Sequence, residues 1–419
     1  MNKQDLTLLT DLYELTMMQG YYEQKQNETV VFDLFFRKNP CENGYSVCAG
    51  LAQVIDYIKN LNFTYEDVDY LRSLGIFSED FLHYLSGFHF SGDIYAIPEG
   101  TVVFPKEPLV KVVAPIMEAQ LVETAILNII NHQSLIATKT SRIVFAAAGD
   151  GIMEFGLRRA QGPDAGLYGA RAAMIGGCVG TSNVLAGQAF SVPVMGTHAH
   201  SWIMSFPDEY TAFKAYAKLY PDNCTLLVDT YDTLKSGVPN AIRVFQEMKE
   251  EGIELKKYGI RLDSGDLAYL SKKARKMLDA AGLTDATICA SNDLDEYLLH
   301  DLKVQGAKID SWGIGTNLIT SKDCPSFGGV YKLAAIQDKD GNFVPKIKVS
   351  ENTEKITNPG NKTIYRIYDK ETGKMRADLI CFVGETYDPE EDLLLFDPVD
   401  TWKKTKLPGG SYTMREILV

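Results

Sequence analysis

Four stretches in the second half of the chain decide the fold: CTLLVDT (224–230), YGIRLDSGD (258–266), TICASND (287–293) and DSWGIGTN (310–317). Each is a short apolar run that closes on polar residues or glycine. Helical patterns follow the first three, over 238–250, 267–280 and 294–304. Two earlier segments have the same form, IMEFG (152–156) running into LRRAQG, and VPVMG (192–196) running into THAHS. With strand centres near 154, 194, 227, 261, 289 and 313, the steps are 40, 33, 34, 28 and 24 residues. That is the rhythm of βα units, whose parallel strands close into a barrel or stack as an open sheet. No G-x-G-x-x-G stands at the first turn, so a barrel is favoured over a dinucleotide-binding sheet. In both architectures the site lies at the C-terminal ends of the strands.

Working outward, the N-terminal 120 or so residues mix helix and strand. Helical spacing covers 5–24, 51–61, 64–74 and 78–87, the last behind a Ser78 N-cap, and VVFDLFFR (30–37) reads as a strand. Short β runs broken by Pro and Gly fill 93–117, and one or two long helices follow. After about 330, GGVYKLAAIQ, the turn DKDGN, PKIKVS, NKTIYRIYD and MRADLICFVG read as antiparallel strands that pack with the N-terminal β layer.

At 419 residues the chain is long enough for two or three domains with a sizeable core. Its 42 Lys+Arg against 55 Asp+Glu give a formal net charge of −13. That balance argues against nucleic acid, which demands many phosphate contacts, and against an anionic membrane surface. It does not exclude small anions in a local pocket. Seven scattered cysteines without a C-x-x-C pair read as reduced thiols of a cytoplasmic protein. From Ala172 to Pro207 there is no Asp, Glu, Lys or Arg, yet glycines, hydroxyls and two histidines make this buried chain of a soluble domain rather than a membrane span.

GTHAHSW (196–202) sets His198 and His200 two apart at a strand end, so an extended chain turns both the same way. The pair could ligate a metal, stay structural, or act as nucleophile or acid/base, with His200 favoured for the last. RLDSGD (261–266) offers Arg261 for a planar carboxylate or phosphate, and Asp263 for sugar hydroxyls, Mg2+ or a developing cation. An Arg–Asp pair with helix capping is the plainer alternative. GIGTN (313–317) can present backbone N–H groups to phosphate or be an ordinary tight turn. EFGLRRAQG (154–162) places Arg158 and Arg159 after a strand, behind Phe155. Taken together, successive strand ends make a cationic, phosphate-ready rim with an acid in it.

Together TDLYELTMMQGY, PEGTVVFPKEPLVKVVAPIMEAQLVET, EFGLRRAQGPDA, GTHAHSW and RLDSGD resemble the nicotinate phosphoribosyltransferase family, from about residue 7 to at least 335. The resemblance implies an α/β protein: an irregular α/β barrel (121–329) beside an α/β sandwich layer built from 1–120 together with 330–419. It implies a homodimer that joins nicotinate to 5-phosphoribosyl 1-pyrophosphate, giving nicotinate mononucleotide and pyrophosphate in NAD biosynthesis. ATP would be a co-substrate, its hydrolysis coupled through a phosphohistidine, with Mg2+ or Mn2+ present. By the same resemblance, His200 is the phosphorylated residue. Phe155 and Tyr13 sandwich the pyridine ring, Tyr13 coming from the neighbouring subunit. Arg261 and Thr197 contact nicotinate, Arg158 faces phosphate or ring, Asp263 faces the ribose, and Gly315 with Thr316 meets the 5-phosphate.

Nicotinamide-using relatives carry Asp in the equivalent of the turn GTSN (180–183), where this chain has Ser182. A carboxylate there would repel nicotinate, while a hydroxyl can donate to it, so nicotinate is expected over nicotinamide. Two other readings use fewer of these residues. A barrel sugar-phosphate lyase or isomerase would need a Schiff-base lysine, for which Lys139 and Lys332 are the nearest candidates. A non-catalytic phosphate-binding protein would have no need of His200.

Overall fold

The computed structural model describes residues 5–349, 357–397 and 400–419, and the chain divides into two compact units, 135–325 and 1–134 with 326–419. The division falls inside one long helix, Glu123–Ala147.

The unit 135–325 is built on a six-stranded, all-parallel sheet. Across the sheet the order is Gly180–Thr181, Gly151–Glu154, Ser311–Ile314, Thr287–Ala290, Tyr258–Leu262 and Cys224–Leu227. Five of the six lie where the apolar runs placed them. The pair Gly180–Thr181 was not foreseen, because two residues show no period. The expected strand at 192–196 shrinks to a single bridge between Val194 and Thr181. Pro193 has no N–H to give, although its carbonyl accepts from Thr181 N. The sheet is therefore a curled half-barrel rather than a closed one.

One face of this sheet is sealed along its width, and Arg261 stands on the opposite face. Leu226, Ile260, Leu262, Ile288, Ala290 and Ile314 are fully buried. Helix Val238–Glu250 turns Val238, Ala241, Val244, Phe245 and Met248 inward at helical spacing. Each large side chain so buried contributes about 1.5–3 kcal/mol. Asp266 and Asp295 start the next two helices by accepting from Tyr269 N and Leu298 N. The acids that end the strand loops thus also begin the helices.

The other unit carries a five-stranded antiparallel sheet in the order Phe343–Pro345, Gly329–Gln337, Thr29–Phe36, Val110–Pro115, Asp93–Ala96. Its central strand comes from the start of the chain and one neighbour from near its end, so the two chain ends share one core. A buried Lys362–Asp33 ion pair (2.6 Å) links the two ends again. A three-stranded sheet adds Met375–Phe382, Lys362–Asp369 and Tyr412–Glu416. The first helix is shorter than its 5–24 periodicity suggests, at Leu12–Glu23. Thr7 exchanges hydrogen bonds with Asn62 (3.0 and 3.2 Å), which draws the preceding turn out of helical register. Of the expected strand PKIKVS, only Pro345 is in a strand and Ser350 lies outside the described residues. All seven cysteines are free thiols, and no helix among the described residues is long and apolar enough to cross a membrane.

Candidate active site

The polar residues gather where the parallel strands end. Arg261, the fourth residue of its strand, projects a guanidinium that is 15% exposed. It donates in three directions: to Ser291 Oγ (2.8 Å), Thr197 Oγ1 (2.6 Å) and Asp263 Oδ1 (2.9 Å). A planar fork fixed on three sides has little freedom left, which suits it to bind a planar anion. The helix-capping alternative for this motif belongs to Asp266, not Asp263.

Asp263 is the centre of a second set of contacts. Its Oδ1 also accepts from Ser291 Oγ, and its Oδ2 stands 3.8 Å from His200 Nε2. Burial opposes its ionisation, but the bonds from Ser291 and Arg261 and the charges nearby win, holding the carboxyl below the usual carboxylate range. His200 opens the helix His200–Met204, is 40% exposed, and hydrogen-bonds through Nδ1 to Thr230 Oγ1 (3.0 Å). The two histidines separate here. His198 is buried, and its Nε2 accepts from Leu227 N (3.3 Å). Its ring bridges from the irregular 194–199 segment to the last strand of the sheet. Burial pushes its pKa down to about 4, as a bridging neutral imidazole requires.

Asp229 was not singled out in the sequence, though it ends the run LLVD in the pattern that marks Asp263. Its Oδ2 accepts from Asp263 N (2.9 Å) and Ser264 Oγ (2.6 Å), while its buried Oδ1 has no hydrogen-bond partner. Thr230 and Ser291 were also passed over. Ser291 is the first polar residue after its apolar run and Thr230 the second, behind Asp229, and that position was the available signal.

Phe155, Ser182 and Gly315 form a second group on neighbouring strand ends. Phe155 N donates to Ile314 O (2.8 Å) and Ser182 N to Glu154 O (2.9 Å). The Phe155 ring lies so close over Gly313 that a Cβ there would meet it at 2.5 Å. Gly315 and Thr316 lead into the short helix Thr316–Ile319, and Asn317 ties that turn to Asp293 and Leu294 carbonyls (2.8 and 3.0 Å). Arg158 is exposed on the turn Leu157–Arg159. Tyr13 belongs to the other unit, 46% exposed on helix Leu12–Glu23. Lys139 is no Schiff-base candidate, because its ammonium bridges Glu296 and Asp323 at 2.8 Å each, 3% exposed.

Fold and site together define an α/β half-barrel protein with an Arg–Asp–His cluster at the C-terminal rim of its parallel strands. The chain belongs to the nicotinate phosphoribosyltransferase family: models of the family's N-terminal domain, the family itself and its C-terminal domain match residues 8–131, 151–366 and 361–419. It is 52% identical over 398 residues to the nicotinate phosphoribosyltransferase of Bacillus subtilis, covering 95% of this chain and 80% of that one. To the human nicotinate phosphoribosyltransferase it is 34% identical over 436 residues, covering 90% and 80%. The crystal structure of human nicotinic acid phosphoribosyltransferase superposes with a TM-score of 0.83 at 30% identity, covering 97% of this chain and 88% of that chain.

Proposed function

We propose that this protein transfers the phosphoribosyl group of 5-phosphoribosyl 1-pyrophosphate to nicotinate, releasing pyrophosphate, in NAD biosynthesis. The observation that carries the reading is the three-way anchoring of Arg261 beside Asp263 and His200. Family membership supplies the substrates. In this reading Arg261 and Thr197 hold the nicotinate carboxylate, with Ser182 donating to it. Phe155 covers one face of the ring, and Tyr13 of a partner subunit covers the other. The exposure of Tyr13, Leu12 (55%) and Met17 (38%) on one helix supports a homodimer.

The pyridine nitrogen attacks the anomeric carbon as pyrophosphate leaves. Asp263, held ionised, offsets positive charge building on the ribose ring. Gly315 and Thr316 take the 5-phosphate, and Arg158 lies free in solvent to meet a phosphate or the ring. A divalent cation, Mg2+ or Mn2+, would neutralise charge on the departing pyrophosphate. Asp229 fits it, with a buried carboxylate oxygen lacking a partner, and Asp263 stands beside it. No group of three protein ligands occurs among the described residues, which suits a cation held largely by phosphates and water.

ATP hydrolysis is coupled to the transfer by phosphorylation of His200. Its Nδ1 is engaged by Thr230, which leaves Nε2, 3.8 Å from Asp263, as the phosphoryl acceptor. Incubation with γ-labelled ATP tests this step. Acid-labile label on wild type that disappears in His200→Ala is expected; absence of label, or its persistence in His200→Ala, rules the step out.

A further inference from the structure

We propose that Glu154 is a positioning residue for base selection, its single carboxyl group fixing the Ser182 turn relative to the Phe155 turn. This rests on the phosphoribosyl-transfer reading and names how the same site distinguishes its base.

Glu154 ends the strand Gly151–Glu154 and is 0% exposed. No Lys, Arg or His ion-pairs with it among the described residues; its carboxyl group is met by neutral donors alone. Oε1 accepts from Gly156 N, at the start of the Phe155–Arg158 turn. Oε2 accepts from Thr181 Oγ1 (2.6 Å), on the neighbouring strand. Thr181 Oγ1 in turn accepts from Asn183 N (3.0 Å), and the Glu154 carbonyl accepts from Ser182 N (2.9 Å). Thus one residue holds the backbone of Ser182 directly and the residues on both sides of it through a hydroxyl.

The chemistry of the group matters. Both carboxyl oxygens accept, Oε1 from Gly156 N and Oε2 from the Thr181 hydroxyl, so that hydroxyl gives its hydrogen to Glu154 and its lone pair to Asn183 N–H. Burying such a group without a cation costs stability, and burial pushes its pKa up. An apolar side chain would fill the same space more cheaply, so packing alone does not explain an acid here. The approach is close: a Cβ on Gly156 would stand 2.9 Å from Glu154 Oε1 and 2.5 Å from Ile319. Gly156 is therefore required where the carboxyl group docks. Asn183 completes the clamp by donating to Gly166 O (3.1 Å) and accepting from Ala186 N (3.1 Å).

The test measures kcat and KM for nicotinate, nicotinamide and 5-phosphoribosyl 1-pyrophosphate in wild type, Glu154→Gln, Thr181→Val and Thr181→Ser. In Glu154→Gln the amide N–H competes with the Thr181 hydroxyl hydrogen, so the turn shifts. The expected result is a rise of about tenfold in KM for nicotinate and a similar fall in the nicotinate:nicotinamide preference. KM for the ribosyl pyrophosphate should stay within about twofold, since the 5-phosphate turn is not part of the clamp. Thr181→Val, which removes the relay without touching the acid, should reproduce this, and Thr181→Ser, which keeps the hydroxyl, should not. Unchanged base preference in both Glu154→Gln and Thr181→Val overturns the proposal, as does a parallel rise in all three KM values. Wild type without nicotinate turnover overturns the phosphoribosyl-transfer reading itself, and this proposal with it.

Discussion

Replacing Arg261 by lysine keeps the positive charge and discards the fork. The guanidinium bonds Ser291, Thr197 and Asp263 at 2.8, 2.6 and 2.9 Å. A lysine ammonium on a shorter reach satisfies one of these well. Each hydrogen bond to a charged group contributes about 1.5–3 kcal/mol, and water refilling the gap returns part of the loss. A net deficit of about 3 kcal/mol corresponds to a fall on the order of 100-fold in kcat/KM for nicotinate. A second readout separates lost anchoring from general damage. Without the guanidinium's hydrogen bond, one of the interactions that lower the Asp263 pKa is gone and the pKa moves up, while the retained charge and the Ser291 bond still oppose burial. With Asp263 acting in its ionised form, as proposed, activity is lost as pH falls through that pKa, and the acid limb of the profile moves to higher pH. Arg261→Lys within about fivefold of wild type in kcat/KM, with an unmoved acid limb, would refute the anchoring role.

Three further outcomes follow from other parts of the rim. Ser182→Asp should shift kcat/KM toward nicotinamide, because its carboxylate repels nicotinate and accepts from the amide; an unchanged ratio of the two bases would count against it. Gly313→Ala sets a methyl group 2.5 Å from the Phe155 ring and should raise KM for nicotinate by about three- to tenfold, the worth of one stacking contact. A KM equal to that of wild type would show that the ring does not cover the base. His198, held neutral with its pKa pushed from 6.5 to about 4, makes the folded state bind fewer protons than the unfolded state between those values. Stability should therefore fall as pH drops from about 6.5 to about 4, by about 3 kcal/mol across the window. Urea unfolding at pH 5 and 7.5 should show this decline reduced in His198→Gln; equal declines in the two proteins would be the contrary result.

Much of this architecture was legible because apolar runs of four or five residues followed by helix have a strong period. Arg261 and Asp263 could be read from such a run, as could the strands that carry Phe155 and Gly315. What escaped notice had no period to reveal it. Gly180–Thr181 is too short for one, and Pro193 reduces the expected 192–196 strand to a bridge. The roles of Ser291, Thr230 and Asp229 arise from side chains meeting across strands 30 or more residues apart in sequence, as in the Arg261–Ser291 and His200–Thr230 bonds. The division of labour between His198 and His200 was equally hidden. Spacing at i, i+2 turns both rings alike in an extended chain, but here a helix begins at His200 and turns its ring away from that of His198.

The most direct test is a product assay on the purified full chain with nicotinate, 5-phosphoribosyl 1-pyrophosphate, ATP and Mg2+. Equal amounts of nicotinate mononucleotide and pyrophosphate are expected, with nicotinamide a much poorer substrate and no turnover in Asp263→Ala. No mononucleotide from wild type, or nicotinamide used in preference to nicotinate, would contradict the account.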